Sequence, residues 1–183
     1  MENKLTPRIL VAMPTLQDPY FEKTVILLFN YNEDGAFGII VNMPSTTRVR
    51  EILTEHMHIP ESFNIPLMIG GPVQPESFWS IHSVDFKANT TTKISSQILL
   101  SSAQDVLLAV ANGEGPEICH IGCGYAGWSP GQLDREIQEE AWWLGELDES
   151  IIMELPYHER WETTLQKLGF NPLMASYVKT GQA

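Results

Sequence analysis

The stretch from Ile118 to Trp143 constrains this chain more than any other. A short apolar run, Ile118 to Ile121, meets Gly122, Gly124 and Gly127 in quick succession. Glycines so placed imply backbone at positive φ, or backbone packed where no Cβ would fit. Ser129-Pro130-Gly131-Gln132 then reads as a helix start. Ser129 at the N-cap would accept from the N–H of Gln132, whose side chain would reach back, with Pro130 at the first helical position. The expectation is strand, tight glycine turn and capped acidic helix, with Tyr125 and Trp128 held at the turn. In that reading the turn is a scaffold point rather than a reaction centre.

The chain has 183 residues, enough for one domain over 1–183 with a substantial core. Its net charge is −12, and from Asp134 to Glu162 ten acidic residues face only Arg135 and Arg160. Such a surface repels polyphosphate, so direct nucleic-acid binding is not expected. A solvated acidic helix face is the plain reading of that segment, and a basic partner protein the sharper one. No apolar run approaches the roughly 20 residues that cross a bilayer, and the N-terminal residues lack a signal peptide's pattern. A cytoplasmic protein without membrane contact is expected. Cys119 and Cys123, four positions apart on a strand, would lie about 13 Å apart, beyond the roughly 7 Å a disulfide allows. Free thiols follow.

Taken in order, the chain predicts a strand over 8–13 and a hairpin over 24–42, turned at Asn32-Glu-Asp-Gly35. Both hairpin strands are almost continuously apolar, which predicts cover on both faces. Val49, Ile52 and Leu53 suggest a helix from Thr46 to about Glu55. His56 and His58 beyond it have no third ligand fixed by spacing and read as solvated loop residues. Residues 77–83 alternate as a strand. Gly70-Gly71 matches no phosphate-binding motif and reads as a tight crossing between strands. A strand over 94–100 precedes a helix capped by Ser102 that runs to Asn112 and stops at Gly113. Trp142-Trp143-Leu144 reads as a packed helix end and 150–155 as a last strand. A helix opened by Pro156 carries Tyr157, Trp161, Leu165 and Leu168 on one face and ends at Gly169. The tail from Asn171 has little periodicity.

These blocks resemble the YqgE/AlgH family of uncharacterised bacterial proteins over nearly the whole chain. The likeness rests on Ala12-Met-Pro14, Asp18-Pro-Tyr-Phe21, Gly35-Ala-Phe-Gly38 and Asn42-Met-Pro44. It continues in Gly70-Gly-Pro-Val73 with His82, Gly113-Glu-Gly-Pro116, Gly124-Tyr-Ala-Gly-Trp128, Gly131-Gln-Leu133 and Glu159-Arg-Trp161. The resemblance implies an α+β fold, a single domain whose mixed, branched β-sheet is flanked by helices. It implies no established enzyme activity and no cofactor. Some relatives have been treated as regulators of exopolysaccharide genes. Here the charge is wrong for DNA, and no basic recognition helix is visible.

The functional expectation is a non-enzymatic binding or regulatory protein with a protein or small-molecule partner. Its candidate surface comprises Asn42, Gly70, Gly71, His82, Tyr125, Trp128 and Gln132, polar and aromatic groups gathered at glycine turns. The alternative is an enzyme built on His82 or Cys119 near the same turns. That would require a nucleophile, a base and an oxyanion donor within reach of one another.

Overall fold

Four strands form the sheet of the first unit: β1 (Arg8–Ala12), β2 (Val25–Asn32), β3 (Gly35–Ile40) and β10 (Trp142–Glu146). A computed structural model describes residues 7–53 and 57–171. It places these residues in two compact units, Met43–Ala126 and the remainder. In the first unit the order is β10-β1-β2-β3, each neighbouring pair antiparallel. The hairpin is as predicted, with Asn32 opposite Gly35 across the turn. Val25 to Leu28 are buried in succession, so both faces of β2 are covered there, whereas Phe37 on β3 is exposed.

Three helices complete this unit: α2 (Gln132–Gln138), α3 (Glu149–Met153) and α4 (Arg160–Lys167). Of the face expected after Pro156, Trp161 and Leu165 are buried on α4, whereas Tyr157 falls in a 3-10 turn before the helix and Leu168, just past its end, is half-buried. The Trp161 indole N–H donates to the Ala12 carbonyl at 2.8 Å, which fastens α4 to β1. Arg160 is buried and donates to the carbonyls of Leu155, Val41 and Ile152. Removal from water pushes its pKa down to about 10, so it stays charged at neutral pH.

The second unit holds β4 (Pro44–Arg48), β5 (Pro66–Ile69), β6 (Val73–His82), β7 (Thr92–Lys93), β8 (Leu99–Ser102), most of β9 (Cys119–Trp128) and helix α1 (Ala103–Ala111). Its strands pair as β4-β5-β9-β6-β8-β7, with β5–β9 parallel and the rest antiparallel. The sheet is therefore mixed, and it branches at β9, where β5 joins off the main order. The fold class is α+β. Helix α1 starts as predicted, with the Ser102 hydroxyl accepting from Asp105 N–H, and buries Val106, Leu107 and Val110 against Val49, Leu67 and Ile121.

Several local expectations are corrected. The glycines after Ile121 do not make a turn, because β9 runs straight through them to Trp128. Ser129 is not the N-cap of α2: Gly131 is, in a left-handed conformation. The predicted reach-back does occur, from Ser129 N–H to Gln132 Oε1 at 3.0 Å. Trp142-Trp143-Leu144 is strand β10 rather than a helix end, since it pairs with Val11, Ala12 and Leu10. Residues 150–155 are not a strand. Asp148 caps Ser150 and starts α3, which buries Ile151 and Ile152. Thr46 to Leu53 is strand β4 followed by a 3-10 turn over Val49–Ile52. Of the strand expected over 94–100 only Leu99 and Leu100 are strand, as the start of β8, and the short β7 precedes the expected range. His56 and the tail beyond Asn171 lie outside the described residues.

Gly70 and Gly71 make the predicted crossing. A Cβ on Gly71 would fall 2.0 Å from the Tyr125 carbonyl carbon, and one on Gly124 would fall 2.4 Å from the Gly71 carbonyl oxygen. The obstacles are backbone atoms, which no rotamer change can move, and both glycines sit at positive φ. Gly71→Ala should therefore lower stability by about 3 kcal/mol or more. Chemical denaturation checks this: a midpoint within error of wild type, with unchanged slope, would contradict the crossing.

Candidate functional site

The candidate residues in the second unit fall at opposite ends of one strand pair. Val73 faces Tyr125 across β6–β9, and His82 faces Cys119. Six residues of strand separate Cys119 from Tyr125, about 20 Å along β9. Gly70, Gly71 and Tyr125 therefore cluster, and His82 does not join them.

At the Tyr125 end the groups are occupied in holding the crossing together. Gly70 N–H donates to the Cys123 carbonyl at 2.8 Å. The Trp79 indole N–H donates to the Gly124 carbonyl at 2.8 Å. At the other end His82 is wholly buried, its ring edge-on to Phe86. Its Nδ1 lies 2.9 Å from the Ser83 carbonyl, which can only accept, so that nitrogen carries the proton in the neutral ring. Nε2 then accepts from the Ser101 hydroxyl at 2.8 Å, and Ser101 also meets the Thr91 hydroxyl at 2.7 Å. Burial lowers the His82 pKa and favours this neutral form. The chain Thr91–Ser101–His82–Ser83 braces β6 against β8.

Cys119 and Cys123 are free and half-buried. Burial pushes the Cys119 thiol up to about 12, with the Asp85 charge adding to it, and raises Cys123 as well. Thiols held neutral in this way are weak nucleophiles at physiological pH.

In the first unit Asn42 is a clamp. Its side-chain oxygen accepts from Val25 N–H at 2.7 Å and its amide donates to the Lys23 carbonyl at 2.8 Å. Both ends of the amide are spent on backbone, which holds Lys23 in its positive-φ conformation.

Trp128 and Gln132 have a different setting. They meet at Glu136, a residue the sequence reading left within the solvated acidic face. Gln132 and Glu136 stand four apart on α2 and so share a face. Glu136 Oε2 accepts from the indole N–H of Trp128 at 2.9 Å and of Trp142 at 2.8 Å. Its Oε1 accepts from the Gln132 amide at 2.8 Å. Trp128 and Trp142 pack edge to face at 5.8 Å, and Phe21 meets the Trp142 ring at 5.7 Å. Phe21 is placed by a turn in which Asp18 Oδ1 accepts from the N–H groups of Tyr20 and Phe21.

These side chains line a cleft of about 340 Å³ whose rim also carries Glu139. Among the described residues no lysine, arginine or histidine lies within 4.0 Å of the Glu136 carboxylate. Asp18, Phe21, Glu136 and Trp142 lie outside the candidate surface drawn from the sequence, although Asp18-Pro-Tyr-Phe21 is one of its motif blocks and Trp142-Trp143 one of its aromatic pairs. The signal that could have found Glu136 was its spacing from Gln132 and Trp128.

The profile of the AlgH-like family (DUF179) matches residues 9–173. The chain belongs to the AlgH-like family. A UPF0301 protein of Photobacterium profundum is 34% identical over 182 residues, covering 96% of this chain and 97% of that one. A UPF0301 protein of Methylococcus capsulatus is 38% identical over 168 residues, covering 90% and 89%. The solution structure of the AlgH protein from Pseudomonas aeruginosa is similar at a TM-score of 0.76 and 35% identity, over 100% of this chain and 96% of that one. A crystal structure of a Corynebacterium diphtheriae protein, with a TM-score of 0.72 and 20% identity over 96% and 94%, shares the fold. No helix among the described residues is long and apolar enough to cross a membrane.

Two predictions follow from this geometry. Glu136→Ala strands two buried indole N–H groups, which should cost about 2–4 kcal/mol and shift tryptophan emission to the red on heating earlier than in wild type. An unchanged thermal emission profile would contradict the triple acceptor. Cys119, protonated in the fold up to about pH 12, should alkylate at pH 8 at least about tenfold more slowly than in the unfolded chain. Lost thiolate outweighs the greater nucleophilicity of a high-pKa sulfur. The raised pKa contributes stability that is full below the unfolded thiol's value and is lost as pH climbs through the folded one. Mass-spectrometric labelling rates check it, equal rates being the contrary result.

Proposed function

We propose that this chain is a non-enzymatic binding or regulatory protein that recognises a protein or small-molecule partner through the cleft beside the Trp128–Gln132 turn. The single observation supporting this is the convergence of Trp128, Gln132 and Trp142 on the half-buried Glu136, with Phe21 in the same lining, in a cleft of about 340 Å³. Concave sites with aromatic walls and a few fixed polar groups are the usual form of a binding pocket.

Catalysis at His82 has less in its favour. That ring spends both nitrogens on Ser83 and Ser101, and the Cys119 thiol is held neutral. A regulatory role would act through the bound partner rather than through DNA, given the net charge of −12. Two free thiols fit a reducing compartment, which supports a cytoplasmic setting.

Affinity capture tests the reading. Gln132→Ala should lose a partner that wild type and the exposed-site control Lys93→Ala both retain. If every partner survives Gln132→Ala while the thermal transition is intact, this surface is not the site.

A further inference from the structure

We propose that the cleft at Glu136 receives a basic side chain, the guanidinium or ammonium group of a partner protein. The inference rests on the binding reading above and adds the chemistry of what is bound.

An ionised carboxylate offers about four acceptor positions. Three on Glu136 are filled: two on Oε2 by indole N–H groups and one on Oε1 by the Gln132 amide. One position on Oε1 is left. All three donors are neutral, and no cation among the described residues lies within 4.0 Å, so the negative charge is oriented without being neutralised. A half-buried carboxylate in that state gains most from a cationic donor, because a charge-assisted hydrogen bond is roughly twice as strong as a neutral one.

The walls suit the same guest. The indole N–H edges of Trp128 and Trp142 meet the carboxylate, while half-buried Phe21, packed against both rings, lines the same cleft and offers an aromatic surface of the kind that attracts guanidinium and ammonium groups within about 6 Å. The rim repeats the sign. Asp18 spends Oδ1 on the N–H groups of Tyr20 and Phe21, and the Glu139 side chain is exposed. Glu136 and Glu139 of the lining belong to a segment, Asp134 to Glu162, that carries ten acids against two arginines, one of which, Arg160, is buried. That field draws a basic surface in and repels phosphate or carboxylate ligands. A partner's side chain is favoured over a free metabolite because the chain as a whole is acidic, with a net charge of −12, and so complements a basic macromolecular surface.

The test uses the intrinsic fluorescence of the full chain, since Trp128 and Trp142 line the cleft. The protein is titrated at low salt with an acetylated, amidated Gly-Arg-Gly-Arg-Gly peptide and with its Gln-for-Arg counterpart. The arginine peptide should change the emission saturably. Binding should weaken at least about tenfold for the glutamine peptide and for Glu136→Gln, and should weaken as salt is raised. Asp18→Asn, which keeps the turn acceptor, provides a second charge-removing variant should Glu136→Gln fold poorly. Equal binding of the two peptides, or no loss in either variant, overturns the cationic guest while leaving the cleft as a binding site. Failure of both peptides to bind, in a protein whose partner is still lost through Gln132→Ala, also overturns it. If neither peptide binds and Gln132→Ala keeps every partner, the binding reading falls with it.

Discussion

The second unit depends on a crossing of two backbones with nothing between them. Where β5 hands over to β6, Gly70 and Gly71 pass so close to Gly124 and Tyr125 that a single Cβ would overlap main-chain atoms. The approach lets Gly70 N–H reach the Cys123 carbonyl and lets the Trp79 indole close over Gly122 to bond Gly124. β9 can then take β5 on one side and β6 on the other while remaining one continuous strand. Without that closeness the parallel β5–β9 ladder and the antiparallel β6–β9 ladder could not share the residues Ile121 to Cys123. The glycine block is thus the condition for β9 to carry a parallel and an antiparallel partner over the same residues.

The first unit solves a different problem. The chain leaves β3 at Val41, and Leu155 follows the end of α3 at Met153, so carbonyl groups from separate segments meet in the interior. A buried carbonyl without a donor costs about 1–3 kcal/mol. Arg160 supplies its planar fork of N–H groups to Val41, Ile152 and Leu155 together, and the Tyr157 ring lies 4.6 Å from its guanidinium carbon. One buried cation thus satisfies several main-chain acceptors, a duty lysine could not perform with the same geometry. Trp161, next in sequence, carries the same logic to Ala12. The Glu159-Arg-Trp161 block is therefore explained by backbone accounting.

What the sequence made legible was local and chemically explicit. Asn32 to Gly35 announced the hairpin, Ser102 with Asp105 announced α1, and Gly113 and Gly169 marked helix ends. What it hid was decided by partners distant in sequence. Trp142 and Trp143 have no period of their own and become strand only because β1 offers an edge. Ile151 and Ile152 look like strand by type, yet the Asp148 cap and the contact with α4 make them helical. The glycines of β9 look like a turn because glycine weakens an isolated strand, a preference that packing against Trp79 overrides. The candidate surface divided in the same way. Gly70, Gly71 and Tyr125 meet at the backbone crossing and His82 and Asn42 hydrogen-bond within the fold, while Trp128 and Gln132 open on a cleft. Glu136 was concealed as one acid among ten.

That concealment has a physical cause. Composition counts Glu136, Glu139 and Asp134 alike, but their surroundings separate them. Asp134 accepts from the Tyr31 hydroxyl at 2.5 Å, which pushes that phenol up to about 12. Glu139 stands in water, where its charge is screened. Glu136 is the one turned beneath two indoles, where the local dielectric is lower and each remaining interaction counts for more. Two tryptophans and a glutamine fix its orientation before any guest arrives, so little ordering entropy would be lost on binding. An acid used only for solubility would require none of these donors. Holding a negative charge in place with neutral partners alone is the arrangement expected of a residue kept for something that comes from outside.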